Sequence, residues 1–181
     1  MTANNKNETG PVWEQKLAIY HPNNKGTGAA LQLEPRLNRS HTDRYNCFFL
    51  DMAAQKSTGE TRDGKRVPAT FDWEHKLTVK LDFQDICELL AVMEGVQQQA
   101  GGKRNGLFHA NGSGSTVITF QKNSENGGYY LGLSRKNNTS PDAVRIGTTL
   151  NAVEAVGLRN ILQTGMFFVL FHAHMLTGTG T

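Results

Sequence analysis

Between Phe71 and Met93, FDWEHKLTVKLDFQDICELLAVM, the spacing of the apolar residues changes from two to three and four. Leu77, Val79 and Leu81 alternate with Lys76, Thr78 and Lys80, which predicts a half-buried strand with a basic, polar outer face. Asp82 then stands where a helix cap belongs, with Asp85 three positions on. Phe83, Ile86, Leu90 and Met93 follow as one buried helical stripe. The same order returns near the end of the chain. Residues 142–150 read as a strand, and Asn151 with Glu154 makes a capping-box-like start to an apolar helix reaching about His174. The expectation is strands, helix, strands, helix: an internal duplication whose period is too long for a solenoid.

Two-residue alternation also marks Lys16 to His21, Ala29 to Glu34 and Arg44 to Ala54 as strands before the first helix, and Leu107 to Ala110, Ser115 to Lys122 and Tyr129 to Lys136 before the second. In the third strand Phe48, Leu50 and Met52 share one face and Cys47, Phe49 and Asp51 the other. Apolar residues on both sides predict a sheet covered on both faces over part of its width. Residues 55–68 mix Lys56, Arg62, Lys65 and Arg66 with Gly, Ser and Thr and read as a mobile hairpin tip.

Composition narrows the class. A chain of 181 residues suits one domain better than two, and 38% hydrophobic with 19% charged residues is an ordinary soluble composition. The longest apolar run, Met166 to Phe171, falls far short of a membrane span, and the polar start MTANNKNETG is expected to be a flexible tail rather than a targeting segment. Cys47 and Cys87 read as buried, reduced thiols of an intracellular protein. A net charge of +3 makes no case for nucleic acid by itself. The placement of charge says more: of 19 Lys and Arg the first helix has none and the second only Arg159. The cations therefore belong to strands and loops, which argues against a recognition helix in a major groove.

KGTGAALQLEPR at residues 25–36, Phe71-Asp72-Trp73 with Lys76 and Leu81, the Phe108-His109 pair, and residues 128–134 followed by a capped apolar helix together resemble the Whirly family over roughly residues 16 to 172. The resemblance implies an α+β fold, ββββα written twice: two antiparallel four-stranded sheets packed roughly perpendicular, each followed by a helix. It also implies a domain over residues 15–176, flexible tails at 1–14 and 177–181, and a homotetrameric ring held by the helices. The implied activity is binding of single-stranded DNA, with RNA as the alternative, because kinetoplastid guide-RNA-binding proteins share that fold. The family's first motif reads like KGKAAL. Here Gly28 precedes Ala29-Ala30-Leu31 and Lys25 lies earlier, so the second lysine is missing or displaced.

The residues supply suitable chemistry apart from the name. A sequence-tolerant grip on a single strand needs cations for phosphates and flat side chains for bases. Lys76 and Lys80 share a strand face, Lys122 and Arg135 project from other strands, and Lys25, Arg36, Lys136 and Arg145 sit at or near strand ends. Tyr20, Phe48, Trp73, Tyr129 and Tyr130 are the candidate stacking surfaces, although Phe48 and Trp73 fit a core better than a contact. Of the adjacent pair Tyr129 and Tyr130, one should face in and one out.

The second helix bears on assembly. Leu158, Ile161 and Leu162 suit one buried stripe, but Phe167, Phe168, Val169, Leu170 and Phe171 make its last turns apolar all round. Such a helix needs cover on every side, which implies a partner subunit, with Leu158, Ile161, Leu162, Phe167, Phe168 and Phe171 as the expected interface; a clamp between two sheets of its own chain is the alternative. Gly157 and Gly165 suggest close helix approach.

Catalysis finds no support in the pattern. The six histidines form no ligand motif, Gly112-Ser113-Gly114-Ser115 lacks nucleophile-elbow spacing, and strand alternation would set His75 opposite Asp72 and Glu74. No cofactor, metal or membrane partner is expected. A structural oligomer or protein-binding scaffold without nucleic-acid activity is the competing class; it accounts for the helix and leaves the basic strands idle.

Overall fold

The computed structural model describes residues 16–36, 46–123 and 127–171. The expected tails at 1–14 and 177–181, and Arg44 at the expected start of the third strand, lie outside the described residues. Strands β1 (Leu17–His21), β2 (Ala29–Arg36) and β3 (Cys47–Ser57) are followed by β4 (Glu60–Arg62), β5 (Lys65–Val67), β6 (Thr70–Phe71) and β7 (Leu77–Leu81), and then by helix α1 (Phe83–Met93). The second half holds β8 (Leu107–Asn111), β9 (Gly114–Lys122), β10 (Tyr129–Asn137), β11 (Ala143–Leu150) and helix α2 (Ala152–Phe171).

The first sheet is antiparallel in the order β1-β2-β3-β7, with short β6 pairing the far end of β3. The second is antiparallel in the order β11-β10-β9-β8. The fold is thus α+β, with each sheet followed by a helix. One departure concerns residues 55–68. β3 runs three residues past its expected end, and β4 and β5 form a separate two-stranded hairpin. Its turn is Asp63-Gly64, both at positive φ (52° and 73°), as a two-residue hairpin turn requires.

Register sorts the faces. In the first sheet Leu17 and Ile19 align with Leu33 and Leu31, these with Leu50 and Met52, and these with Val79 and Leu77. In the second, Ile118 aligns with Leu107 and Leu133, and Leu133 with Ile146. These inner faces meet the helices in one core. Leu31, Leu33, Leu50 and Leu81 of the first sheet, Phe120 and Leu131 of the second, Leu89 of α1, and Leu158 and Leu162 of α2 surround one small apolar void. Leu162 is fully buried there. Leu162→Ala is expected to destabilise the fold by about 2–5 kcal/mol, read as a lower midpoint in chemical denaturation. Close approach, where it occurs, is between helix and sheet: a Cβ at Gly165 would be driven into the Phe48 ring, while Gly157 has open space around it.

Both expected capping boxes form. In α1 the Asp82 carboxylate accepts from the Asp85 amide, and the Asp85 carboxylate from the Asp82 amide. In α2 Asn151 and Glu154 do the same. Each helix acid also reaches across to the other half of the chain. Asp85 lies 3.0 Å from Nε2 of His109 in β8, and Glu154 lies 2.7 Å from Nε2 of His21 in β1. Burial pushes the Asp85 carboxyl up, partly offset by the Asp82 amide and by His109.

Candidate nucleic-acid interface

Three regions of the described surface combine the groups that the sequence singled out. The outer face of the first sheet carries Ala18 and Tyr20 of β1, Gln32, Glu34 and Arg36 of β2, Phe49, Asp51 and Gln55 of β3, and Thr78 and Lys80 of β7. Two acids are buried within it. Glu34 holds Lys16 at 2.5 Å and Arg36 at 3.4 Å, and Asp51 accepts from Lys76 at 2.6 Å and from Thr78 at 2.5 Å. Lys76 lies in the turn just before β7 yet keeps the parity of Thr78 and Lys80, so it shares their face as expected. Its charge is already committed to Asp51. The Arg36 guanidinium also stands over the Phe49 ring at 5.7 Å. Burial raises the Cys47 thiol, with the charges of Lys80 and Arg36 opposing that rise.

The outer face of the second sheet is less acidic. Phe108, Val117, Ser134 and Arg145 form one cross-strand row, and Gln121, Tyr130 and Thr149 another. Lys136 projects on the same side between Ser115 and Ala143. Phe108 is 66% exposed and Tyr130 37%. The Tyr130 ring lies across Gly132 and Gly147, where any Cβ would collide with it, so these glycines form the floor under the ring.

The structure redistributes several expected contacts. Of the adjacent tyrosines it is Tyr129 that turns inward. Its ring stacks on Phe120 at 5.3 Å and 6°, and its hydroxyl donates to the Met93 carbonyl. Lys122 and Arg135 share that inner parity and come out only at the rim. Arg135 is half-buried and donates to Asn137 and Ser113. Phe48 is buried against Gly165. Besides Tyr130, two aromatic candidates stay at the surface: Tyr20 is 50% exposed, and Trp73 meets it edge-on at 6.4 Å. Lys25 is exposed in the turn after β1, a loop held by Asn23. Phe108 and Arg145 stand out on the second face. Strict alternation from Leu107 would have marked Phe108 as outward.

A third region is an open groove of about 910 Å³ beside Tyr20, lined by Pro22, Asn23, Phe71 and Trp73 and by Glu60, Thr61 and Arg66 of the β4–β5 hairpin. Next to it, residues 72–76 form a turn and not the extended strand assumed from alternation. His75 therefore meets Asp72 at 2.9 Å, and Asp72, Glu74 and His75 gather within 4.8 Å. The hydrogen bond from His75 holds the Asp72 carboxyl below its usual range.

Helix α2 divides cleanly. Leu158 and Leu162, expected at an interface between subunits, are buried inside the protomer, with Ala155 and Val169 beside them. Phe168 is half-buried, and its carbonyl accepts from Asn46. The other side carries Val153, Val156, Gly157, Asn160, Ile161, Gln163, Thr164, Phe167, Leu170 and Phe171, none of them charged. Val153 is 81% exposed, Phe167 56% and Phe171 64%. The helix is therefore not clamped between two sheets of its own chain. No helix among the described residues is long and apolar enough to cross a membrane.

Against known proteins, no family model and no curated sequence matches this chain. Solved structures do match. The chain is similar to WHY1 from Arabidopsis thaliana, with a TM-score of 0.68 and 16% identity over 89% of this chain and 88% of that one. It is also similar to the plant transcriptional regulator PBF-2, at 0.66 and 18% over 90% and 85%. A guide-RNA-binding protein complex bound to a guide RNA matches at 0.54 and 17%, over 84% and 90%. The fold is Whirly-like.

Proposed function

We propose that this chain binds single-stranded nucleic acid, DNA first and RNA as the alternative, with little sequence preference and without catalysis, as a homotetramer. The observation that carries this reading is the pairing on each sheet's outer face of cations with accessible rings: Arg36, Lys80 and Tyr20 on the first, Lys136, Arg145, Phe108 and Tyr130 on the second. Backbone phosphates need dispersed cations, and unpaired bases need flat apolar surfaces that a duplex would not use. The Whirly-like fold, shared with a complex bound to guide RNA, supports the same reading.

Self-association rests on α2. An uncharged helix face bearing Val153, Val156, Phe167, Leu170 and Phe171 is costly to leave in water. A symmetric assembly through it would set several sheet faces around one ring and raise avidity for a single strand. That same face is what a purely structural scaffold would require, so binding has to be measured directly. A labelled single-stranded oligonucleotide should be retained at low salt, released steeply as salt rises, and preferred over the corresponding duplex. Absent or salt-insensitive binding would leave the scaffold as the reading.

A further inference from the structure

We propose that the groove between the β4–β5 hairpin and the ring cluster beside Tyr20 takes one unpaired nucleotide, its base lying on the Tyr20 ring and its phosphate on Arg66. This rests on the single-strand reading above and adds a third element to it, continuous with the outer face of the first sheet through Tyr20.

The volume, about 910 Å³, falls within the roughly 300–1,000 Å³ of small-molecule sites. One wall is flat and apolar. Tyr20 is braced by Phe71, with ring centroids 5.5 Å apart and 50° between planes, and by Trp73 at 6.4 Å and 84°. Pro22 and Pro68 extend that wall. The hairpin contributes Thr61 and Arg66, cross-strand partners on one face of it; Glu60 also lines the groove, but it alternates to the other face, where its carboxylate pairs with Arg62 at 3.2 Å. An aromatic platform and a cation lining one groove, with the Thr61 hydroxyl across the strand pair from the cation, match a base joined to a phosphate. A lipid tail would make no use of Arg66 and Thr61, and a free anion would make no use of the rings.

The base of the groove is rigid. The buried Gln55 carboxamide accepts from the amides of Asn23 and Gly28 and donates to the carbonyls of Asn23 and Ser57, locking the turn after β1 to β3. A Cβ at Gly28 would collide with that carboxamide, which explains the glycine. The groove also leads somewhere. Tyr20 shares the outer parity of Ala18, and four residues back along the strand, about 13 Å at strand spacing, stands Lys16, close to Arg36 through their common partner Glu34. A chain leaving the groove therefore runs onto the outer face of the first sheet and its cations.

The test uses the full chain and a fluorescein-labelled oligothymidylate. Tyr20→Ala is expected to weaken binding on the order of tenfold with the salt slope unchanged, because the lost contact is a stack. Arg66→Glu should weaken binding and lower the salt slope by about one. Replacing the exposed hairpin, residues 60–66, with a short glycine turn removes no core residue and should reproduce both losses. Trp13 and Trp73 are the two tryptophans, so a Trp13→Phe background makes Trp73 the reporter. Its emission should change on oligonucleotide addition, and that change should vanish with the shortened hairpin. If Tyr20→Ala, Arg66→Glu and the shortened hairpin all bind normally while charge reversal on the sheet faces abolishes binding, the groove assignment is overturned and the single-strand reading stands. If the unaltered chain binds no oligonucleotide, both are overturned.

Discussion

Phe167→Glu combined with Phe171→Glu is expected to turn an assembled protein into folded protomers. Both rings project from α2 away from the core, 56% and 64% exposed, and they touch each other with centroids 5.1 Å apart. Covering one such ring contributes roughly 1.5–3 kcal/mol, and a closed ring repeats that contribution at every contact. Placing carboxylates there removes the apolar contribution and adds repulsion between copies. Sedimentation or light scattering should report a single-chain mass at concentrations where the unaltered chain is larger. The circular dichroism spectrum and denaturation midpoint of the separated chain should show that the fold survives, since neither side chain contributes to the core. An unaltered chain that already runs as a monomer would remove the assembly from the proposal. Phe168 is the wrong position for this experiment. It is half-buried and packs edge-on against Phe167, so changing it would disturb the protomer as well.

The second large effect is expected from Lys80→Glu with Arg145→Glu, one reversal on each sheet face. If both contact phosphate, oligonucleotide affinity at moderate salt should fall by at least about tenfold, and the slope of log affinity against log salt should shrink by about two. Mass and thermal midpoint should not move, because both side chains are exposed. Unchanged affinity would mean that the strand follows another path. Lys76 makes a poorer probe. Its amine neutralises Asp51, only 4% exposed, and a glutamate there would set two carboxylates against each other and cost stability whatever the chain binds.

Much of this architecture can be read from residue spacing, because one buried face per strand and one stripe per helix leave a strict signal. Leu77, Val79 and Leu81 followed by the Asp82-Asp85 cap mark β7 and α1 to within a residue, and Asn151 with Glu154 marks α2. Residues 55–68 read as a hairpin tip, but the strands β4 and β5 within it are harder to see, because every residue in them is exposed and no periodic burial reveals them. Only Asp63-Gly64 signals its turn. The site was partly legible. Alternation put Lys76 and Lys80 on one face, but it could not show that Glu34 and Asp51 sit buried among the cations, since acid–base pairing across strands depends on register. Nor could it decide between Tyr129 and Tyr130. That choice is made by Phe120, which offers Tyr129 a stacking partner, and by Gly132 and Gly147, which leave room for Tyr130 outside. Extending strand parity back through residues 72–76 failed because the chain turns there, bringing Asp72 and His75 together.

The crossed clasps, Asp85 to His109 and Glu154 to His21, make each repeat the keeper of the other. Severing the chain between α1 and β8 would leave two fragments, each with a helix whose acid has lost its imidazole and a leading strand whose imidazole has lost its acid. The duplicated pattern is therefore not a pair of autonomous modules joined by a tether. Its halves are complementary pieces, expected to mature together and to recover order only when mixed.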